Sequence, residues 1–164
     1  MKAGNAGGAK HPLFAAQKTP LGESLFAAGA AARPQKGPTA RAWAEIDLAA
    51  LRHNAAVLQN ALPAGCLLMP VLKANAYGHG LVLTGRALGR AGVRAFAVAT
   101  LEEGIQLRKA GVRGEILILG YTPAACAWRL FFWELTQTVA DAAHAKALSA
   151  VGLPLKVHIA LDTG

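Results

Sequence analysis

The sequence predicts an α/β fold built from successive parallel βα units, and three observations carry that prediction. Five short apolar runs, at 67–72, 95–99, 115–119, 135–140 and 155–161, begin roughly 20 to 28 residues apart, the repeat of a strand, a helix and their connections. The runs are close to continuously apolar, as strands covered on both faces require. Helical segments near 81–91, 101–110, 123–133 and 142–150 alternate with them, and Ala91-Gly92 and Ala110-Gly111 end two of these helices with the glycine expected at a C′ position. Five consecutive units fit either an open doubly wound sheet or part of a (β/α)8 barrel, and periodicity alone leaves both open.

Taken in order, residues 1–40 are rich in Gly, Ala and Pro, lack sustained periodicity and cannot bury enough surface to offset their ordering entropy. They are expected to form a flexible basic extension ahead of a domain at 41–164. A short strand is expected at 42–46, with Asp47 as N-cap of a helix whose stripe is Leu48, Leu51, Ala55 and Leu58; Pro63-Ala64-Gly65 ends it. Pro70 objects mildly to the strand at 67–72, since a proline removes a ladder hydrogen bond. The cluster Trp128-Arg129-Leu130-Phe131-Phe132-Trp133 reads as a helix packed on the sheet.

Of the 164 residues, 54% are hydrophobic and 16% charged, the balance of a globular protein with a sizeable core. The net charge of +8 invites a nucleic-acid reading. Residues 1–41, however, hold Lys2, Lys10, Lys18, Arg33, Lys36 and Arg41 against Glu23 alone, and the rest of the excess is scattered. No basic stripe with interleaved aromatics appears, so nucleic acid is not the expected partner. No run approaches the ~18 apolar residues of a membrane span. Cys66 and Cys126 form no C-x-x-C pair and read as small buried hydrophobes in a reducing compartment. The five histidines share no ligand spacing with either cysteine, so no metal site is expected.

The chemistry concentrates at Leu72-Lys73-Ala74-Asn75-Ala76-Tyr77-Gly78-His79-Gly80, directly after Leu67-Leu68-Met69-Pro70-Val71. A lysine at the mouth of an apolar strand is partly desolvated, which frees its amine as a nucleophile, the requirement of a Schiff-base lysine. The turn beyond it offers backbone N–H groups and a phenol, donors suited to a phosphate. An amine beside a phosphate cradle suggests pyridoxal phosphate. Gly78 and Gly80 are expected to serve backbone geometry, and Asn75 to cap the turn without a catalytic role.

That string resembles the cofactor-lysine motif of the alanine racemase family, the fold-type III pyridoxal-phosphate enzymes. The resemblance continues through Ala44-Glu45-Ile46-Asp47, Ala95-Phe96-Ala97-Val98-Ala99-Thr100-Leu101-Glu102-Glu103-Gly104, Glu115-Ile116-Leu117-Ile118-Leu119-Gly120, Leu135-Thr136-Gln137-Thr138-Val139 and His158-Ile159-Ala160-Leu161-Asp162-Thr163-Gly164. It covers 41–164 and favours the barrel, with about five of eight units in this sequence and Lys73 at the end of the first barrel strand. It implies that Lys73 binds pyridoxal 5'-phosphate covalently and then acts as base on one face of the substrate Cα, while Tyr77 donates its phenol to the cofactor phosphate. His79 either orients the turn or sits solvated. His158, Asp162 and Thr163 either line the site or serve structural hydrogen bonds.

The resemblance further implies a cytoplasmic homodimer interconverting L- and D-alanine for cell-wall precursor supply. The second base, a tyrosine, and the substrate-binding arginine would then lie beyond this sequence, which is expected to be the inactive N-terminal part of a longer enzyme. Many members carry a carbamylated lysine two residues before the Asp of Asp-Thr-Gly, where this chain has Ala160; serine is therefore an alternative substrate. The rival readings are a pyridoxal-phosphate-binding homeostasis barrel without racemase activity and a non-catalytic remnant.

Overall fold

Asp47 opens helix α1 (Leu48–Ala61) in the computed structural model of the protein, which describes residues 44–164. Its Oδ1 accepts from Ala49 N at 2.7 Å and from Ala50 N at 3.0 Å, satisfying first-turn N–H groups that have no intrahelical partner. The bonds from Ala50 and Ala49 favour the ionised carboxyl and hold it below the usual aspartate range. The extension 1–40 and the first two residues of the expected strand 42–46 lie outside the described residues; residues 44–46 form no strand.

Strands β1 (Ala95–Val98), β2 (Glu115–Ile118), β3 (Thr136–Val139) and β4 (Lys156–Ile159) make one parallel sheet in the order β1-β2-β3-β4. This strictly sequential order belongs to a barrel wall. A doubly wound sheet reverses its order at a switch point, so the alternative left open by periodicity is excluded. Helices α3 (Leu81–Arg90), α4 (Leu101–Lys109), α5 (Ala127–Phe132, after a 3₁₀ turn at Ala124–Cys126) and α6 (Ala142–Ser149) provide the connections.

The main core lies between the sheet and these helices. Phe96 and Val98 of β1, Ile116 and Ile118 of β2, and Leu135 pack with Leu81, Leu88, Leu101, Ile105 and Leu130. Each such side chain contributes about 1.5–3 kcal/mol when fully buried. Gly104 lets α4 rest directly on the sheet, since a Cβ there would stand 3.2 Å from Leu135 Cδ1. On the other face, register aligns Val71, Ala97, Leu117, Thr136 and Lys156 in one row, the row that lines a barrel interior.

Three expectations need correction. The run 67–72 forms only an isolated parallel bridge, Val71 to Ala97, with Leu72 N donating to Ala97 O at 2.7 Å and Ala97 N to Pro70 O at 2.9 Å. Pro70 has no N–H to extend the ladder, and Leu68 N donates instead to Gln59 Oε1 at 3.2 Å. Leu58 is exposed, and of the α1 stripe only Ala55 is buried. Cys66 is exposed rather than buried, and Cys126 is half-buried. The aromatic cluster does form a helix packed on the sheet, through Ala127 and Leu130, with Trp128, Phe131 and Phe132 exposed.

Candidate active site

Lys73 stands directly after the segment paired to β1, at the C-terminal end of the sheet, where barrel chemistry is built. The single helical turn that it starts, α2 (Lys73–Tyr77), winds left-handed: φ is 52° at Ala74, 56° at Asn75, 53° at Ala76 and 52° at Tyr77. Left-handed backbone costs about 1–2 kcal/mol for each non-glycine residue. Four in succession persist only where the surroundings over-determine them.

The surroundings do so from three directions. Ala76, buried in the core, donates its N–H to Leu72 O at 2.8 Å. Asn75 Oδ1 accepts from Leu81 N at 2.8 Å and so caps α3, the structural part expected of it. Glu103 Oε1 accepts from Ala74 N at 2.7 Å. Gly78 and Gly80 follow with φ of 89° and 90°, bearing out their expected backbone role.

Two sequence expectations fail here. Most N–H groups of the turn are not presented to a ligand: those of Ala74, Ala76, Gly78, His79 and Gly80 have acceptors within the chain. The strand mouth also leaves Lys73 exposed rather than desolvated. Its ammonium has no ion-pair partner among the described residues. Tyr77 is 61% exposed, so its phenol stands at the surface of the same turn as the lysine. His79 Nδ1 lies 3.0 Å from Ala76 O, consistent with a proton on that nitrogen and with the turn-orienting role.

His158 lies on the barrel-interior face, in register with Thr138, and its Nε2 meets Glu115 Oε1 at 3.0 Å. Asp162 is exposed, and its Oδ1 accepts from Gly164 N at 3.1 Å. Among the described residues no hydrogen bond joins either to the Lys73 turn. Two carboxylates escaped the sequence reading. Glu115 was legible only as a strand residue. Glu103 had a signal, since Thr100-x-x-Glu103 spells a capping box, but its reach to Ala74 spans 29 residues of sequence.

A sequential parallel barrel wall with a lysine at the mouth of its edge segment defines a barrel domain whose chemistry is built at the C-terminal ends of its strands. Residues 46–164 match the alanine racemase N-terminal domain, and the chain belongs to that family. It is 48% identical over 126 residues to an amino-acid racemase of Enterococcus faecalis, covering 77% of this chain and 18% of that protein. It is 42% identical over 126 residues to the alanine racemase of Desulfovibrio desulfuricans, covering 74% of this chain and 34% of the relative.

Among solved structures, alanine racemase from E. faecalis superposes with a TM-score of 0.69 at 39% identity, covering 73% of this chain and 33% of that one. A histidine racemase from Leuconostoc mesenteroides gives 0.58 at 32% identity, covering 67% and 30%. The chain thus spans between about a fifth and a third of the length of these relatives.

Proposed function

We propose that this chain is the lysine-bearing part of a pyridoxal-phosphate-dependent amino-acid racemase, with alanine as the first substrate to test. One observation carries the reading: an exposed, unpaired lysine at the C-terminal end of a parallel barrel wall shares a braced left-handed turn with an exposed tyrosine. The donor set fits the cofactor in part. The Lys73 amine suits its aldehyde and the Tyr77 phenol suits its phosphate, whereas the backbone N–H groups of Ala74, Ala76, Gly78, His79 and Gly80 are spent internally. When bound, pyridoxal phosphate supplies an electron sink that acidifies the Cα–H of an amino acid joined to it.

Lys73 would hold the group covalently through Nζ, and the same amine, once free, would remove or return the Cα proton on one face. Tyr77 would donate its hydroxyl to the phosphate. The assembled protein acts as a cytoplasmic homodimer that supplies D-alanine to cell-wall synthesis. No helix among the described residues is long and apolar enough to cross a membrane.

The racemase of histidine among the structural relatives supports testing a second substrate class, and Ala160, in place of the family's frequent lysine, supports serine. Borohydride reduction of the assembled, cofactor-loaded protein should fix the label on the peptide containing Lys73, and Lys73→Ala should abolish both labelling and the racemisation of that assembled protein. Label on another lysine would remove the core of the reading. A panel of L-alanine, L-serine and L-histidine, followed by loss of optical rotation, then assigns the substrate.

A further inference from the structure

Glu103 is the third residue of α4 and closes a capping box: its N–H donates to Thr100 Oγ1 at 3.2 Å, and its carboxylate returns to Thr100 N at 3.3 Å. Helix capping asks no more of it than this. Yet the return bond is the longest its carboxylate makes. The same Oε2 accepts from Ala99 N at 2.8 Å, at the exit of β1, and Oε1 accepts from Ala74 N at 2.7 Å. The two shortest contacts therefore lie outside the cap, at the length of charge-assisted hydrogen bonds.

Ala74 is the residue directly after Lys73 and the first of the left-handed turn. On the other side of the lysine, Leu72 N donates to Ala97 O at 2.7 Å. The backbone of Lys73 is thus clamped between a hydrogen bond to β1 and one to the Glu103 carboxylate, and that carboxylate is itself anchored at the end of β1. Gly104, the next residue, lets α4 approach the sheet closely enough for this reach.

We propose that Glu103 is a positioning residue for Lys73, its carboxylate tying the turn that carries the lysine to the end of β1 and so setting where the amine leaves the sheet. The inference rests on the covalent role of Lys73 proposed above. Glu103→Gln is the sharpest test, because an amide keeps the shape but offers one acceptor oxygen. Its NH2 must then face the N–H of Ala74 or those of Ala99 and Thr100. Thr100→Ala is the control: it removes the cap and leaves the carboxylate clamp.

In the protein loaded with pyridoxal phosphate, Glu103→Gln should weaken cofactor affinity about tenfold to a hundredfold, the effect of losing a hydrogen bond to a charged group. It should also shift the visible absorption of the lysine-bound cofactor and speed amide exchange at Ala74. Thr100→Ala should lower the unfolding midpoint while leaving affinity and absorption within about twofold of the parent. Should the glutamine variant fail to fold, Glu103→Asp, which keeps both oxygens but is one methylene shorter, is expected to give the same pattern. Equal effects of the Thr100 and Glu103 variants, or unchanged affinity and absorption in the Glu103 variants, would reduce Glu103 to a helix cap. Failure of the parent protein to label at Lys73 would instead overturn the covalent reading, and Ala74 exchange would still report whether the clamp exists.

Discussion

Replacing Ala74 with glycine should stabilise the protein, against the ordinary effect of that change. Ala74 sits at φ 52° and ψ 52°, where an L side chain costs about 1–2 kcal/mol that glycine does not incur. Against this, glycine adds about 0.5–1 kcal/mol of chain entropy to the unfolded state. Ala74 is exposed, so no burial is lost, and its N–H bond to Glu103 is a backbone bond that glycine retains. Ala145, exposed in right-handed α6, is the matched control, and there the same substitution costs about 0.5–1 kcal/mol with nothing in return. The two variants should therefore differ by about 1–2 kcal/mol. At a urea slope of about 1–3 kcal/mol/M, their midpoints should lie about 0.5–1 M apart. If Ala74→Gly lowered the midpoint as far as Ala145→Gly does, residue 74 would not be left-handed in solution, and the account of a strained turn braced by Glu103 and Asn75 would collapse.

Tyr77→Phe should weaken pyridoxal phosphate binding about ten- to a hundredfold, with less effect on turnover at saturating cofactor; unchanged affinity would make Tyr77 a bystander. Arg108→Met should cost about 2–3 kcal/mol by urea denaturation. Its guanidinium donates to Trp133 O at 3.0 Å, Val112 O at 3.1 Å and Glu134 O at 2.9 Å, pinning the α5–β3 turn in which Glu134 has φ 50°. Because the Asp47 carboxyl is held below its ordinary range, its contribution to stability is full above the unfolded value, about 3.9, and fades as pH falls through the lower folded value. The advantage of the parent over Asp47→Ala should accordingly persist at pH 7 and shrink in strong acid, read as the difference between their urea midpoints.

What the sequence disclosed and what it concealed divide along a physical line. Strands β1 to β4 and helices α3, α4 and α6 were legible because apolar runs, caps and C′ glycines are local signals, and each fell within a residue or two of its place. The segment 67–72 misled because its apolar character is genuine while Pro70 withholds the donor that a ladder needs. Barrel and doubly wound sheet were inseparable from periodicity, since both repeat at the same interval and only strand order tells them apart. At the site, Lys73 and Tyr77 were visible as a motif, but nothing in Ala74-Asn75-Ala76-Tyr77 announces left-handed backbone; only Asn75 is a residue that adopts it readily. The turn is imposed by tertiary partners, and Glu103, the partner that reaches it from α4, is distant in sequence.

Racemisation needs a proton removed from one face of Cα and another delivered to the opposite face. Lys73 is proposed for one face, and no described residue is proposed for the other. The isolated chain 1–164 is therefore expected to exchange the Cα proton of alanine at most, without inverting it. Its packing points the same way. At the end of β4 Ile159 is 75% exposed and just beyond it Leu161 is 81% exposed, and at the opposite edge Val71 is 40% exposed. Among the described residues both rims of the wall thus present unpaired backbone beside apolar side chains, a template for association. The isolated chain should bind a hydrophobic dye and self-associate, and with added pyridoxal phosphate it should form no D-alanine. A soluble monomer turning over near the ~10 per second of an ordinary enzyme would refute this expectation, because Lys73 alone has no means of reaching both faces of the same carbon.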